Sequence, residues 1–531
     1  MGNDIVYDIE ADGFIFESTK VWTICLTHVQ TQTKLKINPF KESDAKRKFL
    51  DFIFSFGDCP RIIGHFILGY DNFVVQNLLD IKFTVGRDTI EGKSVQFVDS
   101  YYLSMFLNPD RQGHSIEAFG EMLGLPKIDW RGKAIELGLI EKNAPDGAEF
   151  MQWHPEMDVY CDRDVDVNVL VYQYLQEEWQ EVYGKLFEIT DAFKCGQKSF
   201  YLMSCQELTG FKFDIEAAKK LAVRIEEMME EIRAEVEPQL PPRALKKSEE
   251  KFYTMPAKPY KKSGEFSASW TAFVEKHSGK QVESGWEFYG KVYQVVAGSM
   301  LDVKMPMEMA NQDQMKDWFL DQGWKATFWN YQRGPDGKPM RDPQTRQLIP
   351  TSPKIQEQGK ICPNLEKMEG AIVKKVVKWL SLRNRQSVLN GWLENPRLQM
   401  DGRIGAGRTG IAATHRQKHK VLVNVPKASE KVLLGKEFRS LWIAEDGMLI
   451  AAGDAAALEG RVQGHYCFKY DQGATAEELL KGDVHSKNAF AFFGHMPDLK
   501  QFDLHSPEFN KEHPVFKPYR DKSKNGYYAL T

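Results

Sequence analysis

The spacing of hydrophobic and polar positions changes along the chain, and the change predicts its domains. Up to about residue 175, short strand-like segments such as DIVYDIEA and RIIGHF alternate with helix-like segments such as FVVQNLLD and SIEAFGEMLG. From about residue 180 to 235 the apolar positions recur at three and four, most clearly in KLAVRIEEMMEEIRAEVE. We therefore expect an α/β domain followed by a helical region that ends in a long helix.

Two segments interrupt the helical region. Residues 240–300 are rich in Pro, Lys and aromatics, and residues 333–359 hold Gly, Pro and polar residues, so both are predicted to be insertions or long loops. Helical periodicity returns at KMEGAIVKKVVKWL, and strand-like VLVNVP and GMLIAAG then lead into helix-like AAALEGRVQGHYCF. The prediction is an α/β and α+β multidomain protein with domains at 1–178, 179–395 and 396–531.

The composition is that of a globular, non-secreted protein and does not indicate which ligand it binds. A hydrophobic fraction of 42% and a charged fraction of 27% are typical of a globular protein, and no apolar run is long enough for a membrane helix. Acids at the N-terminus do not fit a signal peptide, and seven scattered cysteines form no C-x-x-C pair. We expect a cytoplasmic protein, whose net charge of -4 gives no bulk attraction to nucleic acid.

Three acids at alternate positions lie near the N-terminus, in VYDIEAD. Because side chains alternate along a strand, Asp8, Glu10 and Asp12 would share one face and repel one another unless water or a cation lies between them. A pair of Mg²⁺ ions needs more oxygens than one such segment offers, since each ion takes about six. We therefore expect further acids from other segments.

Two later segments supply such acids. Asp71 follows an aromatic residue and begins an apolar helix, where the helix dipole favours an anion. Tyr160 and Asp164 lie one helical turn apart and share a face. Taken alone, the strand acids fit a solvated face, Asp71 fits a helix cap, and Asp164 fits a charged helix surface.

The order D-x-E, (F/Y)-D and Y-x-x-x-D through an α/β domain resembles the DEDDy class of DnaQ-like 3′→5′ exonucleases. The resemblance implies an RNase H-like fold over residues 1–178 and a catalytic site with two Mg²⁺ or Mn²⁺ ions, in which Tyr160 orients the attacking water. It implies that the ions are held by Asp8, Glu10, Asp71 and Asp164. Phe66 stands where many relatives have Asn, a departure that bears on substrate contacts.

A second group of candidate residues begins at Asp454. The segment GMLIAAG predicts a buried strand that ends at this acid, and three alanines after it would let a triphosphate approach the backbone closely. Glu459 falls in the helix-like segment that follows. An ordinary strand-to-helix turn is the alternative.

The C-terminal segment YRDKSKNGYYALT carries Arg520, Lys524 and Tyr528 at four-residue steps, which a helix would bring to one face. Two cations and an aromatic ring on one face suit a triphosphate and the base above it. His485 lies upstream, in GDVHSKN. A basic, solvated helix is the alternative.

These two groups resemble motif A and the first half of motif B of family A DNA polymerases, particularly the replicative enzymes of short-tailed phages. The resemblance implies that Asp454 is a catalytic metal ligand and that 396–531 is a partial palm with the start of the fingers, after a helical thumb with an insertion at 179–395. It implies primer-template DNA, single-stranded 3′ ends and dNTP as partners, and host cytoplasm for a phage-encoded protein. The nucleotide-binding residues would be Glu459, His485, Arg520, Lys524 and Tyr528.

The segment THRQKHKVLVNVPK resembles the T-G-R-x-x-H and Q-x-P sequences of the same family. The resemblance makes Arg416 and Asn424 candidates for minor-groove contacts to the primer end. His415 replaces the usual Gly, and the spacing to the Pro is shorter. A basic surface strand is the alternative.

The family's second catalytic Asp lies in a His-Asp-Glu segment beyond motif B, and none of the 531 residues supplies it. We therefore expect the N-terminal part of a split or truncated polymerase, with a complete proofreading exonuclease and a complementary C-terminal chain as partner. In the short-tailed phage enzymes an insertion near residues 240–300 docks thioredoxin, so a thioredoxin-like processivity factor is a further expected partner, with a small packed subdomain as the alternative. A non-catalytic DNA-binding subunit and a stand-alone 3′→5′ exonuclease are the alternative functions.

Overall fold

The computed structural model describes residues 2–335, 337–357, 359–455 and 457–530. The chain divides into two compact units, residues 1–445 and residues 446–531. The functional domains with boundaries at 178 and 395 stay a prediction. No helix among the described residues combines the length and the apolar character needed to cross a membrane.

The first part of the larger unit is an α/β structure, as the alternating pattern predicted. Its strands are β1 (Asp4–Ala11), β2 (Val21–His28), β3 (Thr33–Ile37), β4 (Arg61–Gly64), β5 (Phe83–Thr84), β6 (Thr89–Ile90), β7 (Lys93–Ser94) and β8 (Gln96–Asp99). Its helices are α1 (Ala45–Phe54), α2 (Asp71–Leu79), α3 (Ser100–Leu107), α4 (Ile116–Leu123), α5 (Trp130–Glu136) and α6 (Pro155–Tyr183).

A five-stranded mixed sheet organises these elements, in the order β3, β2, β1, β4, β8. β1 pairs antiparallel with β2 and parallel with β4, and β4 pairs parallel with β8. Every residue of β2 is buried, and the long helix α6 packs against both β1 and β2. Because both faces of β2 are covered, its sequence VWTICLTH does not alternate strictly between apolar and polar residues.

The second part of the larger unit is mainly helical and begins with α7 (Asp191–Thr209), β9 (Phe211–Phe213) and α8 (Ile215–Val236). The buried residues of α8 include Leu221, Ile225 and Met229, spaced one turn apart, and this face packs against a later long helix, residues 371–393. Asp214 begins α8 by accepting a hydrogen bond from the N–H of Ala217, at 2.9 Å. The predicted long helix is confirmed.

Residues 240–305 form a small packed subdomain rather than an open loop. It contains α9 (Lys247–Tyr253), α10 (Ala268–Lys276), β10 (Lys280–Val282), β11 (Gly285–Phe288) and β12 (Lys291–Tyr293), the three strands making one sheet. Trp270, Phe273 and Phe288 are buried in its core. The alternative of a packed subdomain is confirmed, and partner binding by it stays a prediction.

The remaining elements of the larger unit include two strands that pair with β9, which lies much earlier in the chain. They are α11 (Gln312–Asp321), β13 (Trp329–Tyr331), β14 (Pro350–Pro353), β15 (Gln356–Glu357), β16 (Lys360–Ile361), α12 (Pro363–Glu366), α13 (Ala371–Leu393), α14 (Pro396–Asp401), β17 (Arg403–Ile404), β18 (Gly407–Ile411), β19 (Gln417–Lys420), α15 (Gly435–Ser440) and β20 (Trp442–Ile443). β17 and β20 both pair with β9, and β18 pairs with β19 as a hairpin. The segment from 403 to 443 therefore packs with residues that precede it.

The smaller unit is helical where it is described, with α16 (Leu458–Asp471), α17 (Ala474–Lys481), α18 (Val484–Phe493) and α19 (Lys517–Leu530). The helix predicted after Asp454 is confirmed, but the strand predicted over GMLIAAG is wrong. Leu449 within it is 94% exposed. A strand needs a neighbour for its backbone groups, and no strand forms among the described residues of this unit.

Truncation of Ile225 tests the packing of α8 on α13. The Ile225 side chain is fully buried, so Ile225→Ala should lower the free energy of unfolding by about 2–5 kcal/mol, measured by urea denaturation. Val223→Ala is the matched control, because Val223 lies on the same helix with its side chain exposed. An equal loss in both variants would contradict the packing.

Candidate functional site

Four acidic side chains from three segments meet beside the sheet, and we call them the carboxylate cluster: Asp8, Glu10, Asp71 and Asp164. Asp8 and Glu10 are alternate residues of β1, Asp71 is the first residue of α2, and Asp164 lies on α6, which packs against β1. The negative charges of Asp71, Glu10 and Asp164 each raise the pKa of Asp8. The structure thus brings together all four acids that the sequence singled out.

Burial dominates the electrostatics of the carboxylate cluster. Desolvation, reinforced by neighbouring acids, raises the pKa of Asp8 and of Glu10 well above the ordinary carboxyl range. Burial and the charge of Asp99 raise the pKa of Asp71 to about 7, against hydrogen bonds from its own backbone and that of Ile9. Without added positive charge, the cluster therefore resists full ionisation at neutral pH.

Lys127 supplies one positive charge to the cluster and was not predicted. Its ammonium lies 2.5 Å from Oδ2 of Asp164 and 4.7 Å from the centre of the Tyr160 ring. Although burial opposes its charge, the carboxylates of Asp164, Asp8 and Glu10 raise the pKa of Lys127. The segment GLPKIDW that contains it has no periodic signal, which is why sequence reasoning missed it.

The donor set of the cluster fits hard divalent cations. Oδ1 of Asp164 is buried and has no hydrogen-bond partner among the described residues, so it can accept a cation. Oxygens of Asp8 and Glu10 lie within 4.8 Å of each other and of the Cys161 sulfur. Burial raises the pKa of the Cys161 thiol, which therefore stays protonated and suits Mg²⁺ poorly, since Mg²⁺ prefers oxygen.

Tyr160 lies one turn before Asp164 on α6, as predicted. Its ring stacks on Trp130 at 5.9 Å between centroids and is buried. Burial first, and then the charges of Glu10 and Asp164, raise its pKa. The hydroxyl therefore stays protonated at neutral pH and can hold a water by hydrogen bonding.

Asp12 does not join the cluster, and the prediction that it shares the face of Asp8 and Glu10 is wrong. β1 ends at Ala11, and the carboxylate of Asp12 accepts hydrogen bonds from the backbone N–H groups of Thr19 and Lys20, at 2.7 and 3.0 Å. Asp12 thus closes the loop after the strand.

A cavity of about 770 Å³ adjoins the cluster at Glu10, and we call it the aromatic pocket. Phe66 lines it with a backbone φ of 69°, and Gly69 leaves room for the ring, because a Cβ there would lie 2.3 Å from it. Helix α7 and strand β19 also contribute to its wall. The side chains that line it include Glu10, Phe14, Phe16, Phe66, Tyr70, Glu149, Phe150, Ser204, Glu207 and Lys420.

The predicted nucleotide-binding residues are only partly assembled. His485, Arg520 and Lys524 meet where α18 and α19 pack, and both cations lower the pKa of His485, after burial as the largest cause. Asp454 is exposed ahead of α16, and no hydrogen bond or ion pair joins it to this group in the described part of the chain. Glu459 is exposed in the first turn of α16. The side chain of Tyr528 lies outside the described residues.

Arg520 is held by an acid that the sequence did not single out. Its Nε donates to Oδ2 of Asp483 at 3.0 Å, and Asp483 also caps α18 by accepting from the N–H groups of His485 and Ser486. Although burial opposes ionisation, Arg520 and the capping bond lower the pKa of Asp483. In the larger unit, Arg416 and Asn424 are both exposed, and contacts to a primer stay a prediction.

Neutral isosteres in the cluster should make the metal-free protein more stable. Asp8→Asn with Glu10→Gln replaces two acids whose raised pKa values cost the fold free energy at neutral pH, so the melting temperature in EDTA should rise by roughly 2 °C or more. Added Mn²⁺ at constant ionic strength should stabilise the wild-type protein but not this variant.

The matched control for that experiment is Asp162→Asn with Asp166→Asn, which removes two partly exposed acids of α6 that pair with Lys34. It should leave the response to Mn²⁺ unchanged. A double cluster variant that is less stable in EDTA, with an unaltered Mn²⁺ response, would show that the cluster does not bind metal.

The Asp483–Arg520 pair should make α18 and α19 sensitive to acid. Because the folded pKa is lowered, the stabilisation is present above the ordinary carboxyl range and is lost as the pH falls through the folded pKa. Asp483→Asn keeps a capping side chain but loses the charge, so it should cost roughly 1 kcal/mol at neutral pH and less in acid. Hydrogen exchange of α18 and α19 peptides, compared at equal pH, measures this; equal protection at neutral pH would contradict it.

Comparison with known proteins shows similarity both in sequence and in fold. The chain is 25% identical over 431 residues to the DNA-directed DNA polymerase of Escherichia phage T7, covering 71% of this chain and 55% of that polymerase. The chain thus spans about half the length of this curated relative. No protein-family model matches the sequence.

The fold resembles a solved structure described as the POL domain of Pol1 from M. smegmatis in complex with DNA primer-template and dNTP. The TM-score is 0.54 at 11% identity, with 100% of this chain and 68% of the other covered. At that identity the likeness concerns the fold alone. Both similarities are to DNA polymerases, which supports the resemblance to family A DNA polymerases that the motifs indicated.

Proposed function

We propose that this chain hydrolyses DNA from the 3′ end in a metal-dependent reaction, as the proofreading part of a phage-type replicative polymerase. The observation that carries the proposal is the carboxylate cluster, in which Glu10, Asp71 and Asp164 are buried, beside a pocket with aromatic walls. Buried acids that repel one another weaken the fold, and their assembly in one place is typical of a site that binds cations. RNase H-like architecture for residues 1–178 is part of the same proposal.

Asp8, Glu10, Asp71 and Asp164 would hold two Mg²⁺ or Mn²⁺ ions. Such ions, when bound, lower the pKa of a water and neutralise charge that builds up on the phosphate. Tyr160 keeps its proton and would hold the attacking water by a hydrogen bond. Water adds its oxygen to phosphorus while the bond to the 3′ oxygen breaks, so the products are a 5′-mononucleotide and a shortened strand with a free 3′-hydroxyl.

The aromatic pocket would take the unpaired bases at the 3′ end. Phe14, Phe66 and Phe150 line it, and stacking of a base on an aromatic ring contributes about 1–3 kcal/mol without strong sequence preference. A frayed, single-stranded end can enter such a pocket one base after another, whereas a paired end cannot. The pocket thus supports a preference for single-stranded or mispaired 3′ ends.

For the polymerase-like part we propose a role in binding primer-template and dNTP, with Asp454 as a metal ligand and Arg416 and Asn424 near the primer. Arg520 and Lys524 lie on α19, and Arg520 would bind phosphate oxygens with its full donor set after it releases Asp483. Polymerisation with a complementary C-terminal chain stays a prediction, as do a thioredoxin-like factor and host cytoplasm.

Removal of the two strand acids tests the exonuclease directly. A single-stranded oligonucleotide labelled at its 5′ end should be shortened stepwise from the 3′ end in Mg²⁺ and left intact in EDTA. Asp8→Ala with Glu10→Ala should reduce the rate by more than roughly 100-fold, because even residues that merely support metal ligands contribute 10- to 100-fold. Asp162→Ala with Asp166→Ala is the control and should retain activity.

Two outcomes would count against the proposal. Degradation that persists in clean Asp8→Ala, Glu10→Ala protein would overturn the site assignment. Tight binding of primer-template by the wild-type chain, with no cleavage in Mg²⁺ or Mn²⁺, would favour the alternative of a non-catalytic DNA-binding subunit.

A further inference from the structure

The hairpin of β18 and β19 packs against α7 and against the core of the α/β part, although it follows the α/β part by more than two hundred residues. Ile411 is buried in the same core as Ile5. The guanidinium carbon of Arg408 lies 3.3 Å from the centre of the Phe200 ring, and its Nη1 donates to Oγ of Ser204 at 2.9 Å. These contacts set the position of the last residue of β19, Lys420.

Lys420 lines the aromatic pocket and is the one cation among its described lining residues. The other charged residues there are Glu10, Glu149 and Glu207, all acids. Acidic walls repel a DNA strand, whose phosphates each carry a negative charge. Arg131 pairs with Glu149 at 2.8 Å, and the guanidinium carbon of Arg397 lies 4.1 Å from the centre of the Phe16 ring, so both cations stand behind lining residues. Among the described lining residues, Lys420 is therefore the cation best placed to attract a strand that enters the pocket.

The ammonium of Lys420 is held by an acid that a phosphate can replace. Nζ lies 2.7 Å from Oε1 of Glu207, and both side chains are partly exposed, at 43% and 31%. Ion pairs with this exposure are weak, so exchange of the partner costs little. Gly407 pairs with Lys420 across the hairpin, and a Cβ on it would lie 2.4 Å from Cε of Lys420 and 2.3 Å from Cδ of Glu207. Because Gly407 has no side chain, the ion pair of Lys420 and Glu207 can occupy this space.

We propose that Lys420 is a substrate-binding residue of the exonuclease, contacting a phosphate of the single strand upstream of the bond that is cleaved. Glu207 holds the ammonium over the pocket until the phosphate displaces it. The proposal rests on the proposed exonuclease function and adds one residue from the polymerase-like part of the chain to its substrate site.

Binding in EDTA tests Lys420 without any cleavage. The full chain is titrated into a fluorescently labelled single-stranded oligonucleotide, and Kd is measured by anisotropy at several KCl concentrations. Lys420→Met should raise Kd about tenfold at low salt and reduce the slope of log Kd against log [KCl] by about 0.7, the loss of one phosphate contact. Glu207→Gln should lower Kd, because it removes a competing anion.

Lys418→Met is the matched control, with the same charge change on the same strand at a residue that does not line the pocket. It should leave Kd and the salt slope within about twofold of the wild-type values. Oligonucleotides with one neutral methylphosphonate, moved stepwise from the 3′ end, locate the contact. One position should weaken binding to the wild-type chain and have no effect on Lys420→Met.

The outcomes separate this proposal from the exonuclease itself. Unchanged Kd, salt slope and methylphosphonate profile in a folded Lys420→Met protein would overturn the proposal, even if cleavage in Mg²⁺ is normal. An equal loss in Lys418→Met would overturn it as well, because the effect would then be one of general charge. The expected binding changes without any cleavage in Mg²⁺ would support Lys420 as a DNA contact and count against the exonuclease.

Discussion

Carboxylates keep their charge only in water or beside positive charge, and this molecule gathers four of them where little water reaches. Asp71 begins a helix, and Lys127 contributes a single ammonium, yet the pKa values of the acids are still raised. Bound cations, as proposed for this cluster, would recover the free energy that the fold loses here. The sheet order, the start of α2 and the position of α6 can be understood as the means of holding these acids in place.

Much of this arrangement was predictable because it depends on short-range periodicity. Alternation along β1 places Asp8 and Glu10 together, and a helical turn places Tyr160 beside Asp164. Lys127 could not be predicted in this way, since its part in the site comes only from the packing of a loop against α6. The same holds for the phenylalanines of the pocket, which the sequence shows only as scattered aromatics.

The wrong predictions have a common physical cause. An apolar run such as GMLIAAG indicates burial, but whether it forms a strand depends on a neighbouring strand elsewhere in the chain, and its own residues do not specify one. Asp12 continues the alternation of β1 by position but follows the end of the strand, where the loop offers its carboxylate two N–H groups. The local sequence pattern thus predicted the helices and strands and the faces on which their side chains lie. It did not predict which elements pack or pair with one another.

The hairpin determines when the α/β part can complete its core during synthesis. Ile411 completes a core that begins with Ile5, so the α/β part cannot bury all of its apolar surface until more than four hundred residues have left the ribosome. At a synthesis rate of about 5–20 residues per second, this part waits on the order of tens of seconds with the place of Ile411 in its core unfilled. The part of the molecule that carries the carboxylate cluster therefore completes its core only after most of the chain has been translated.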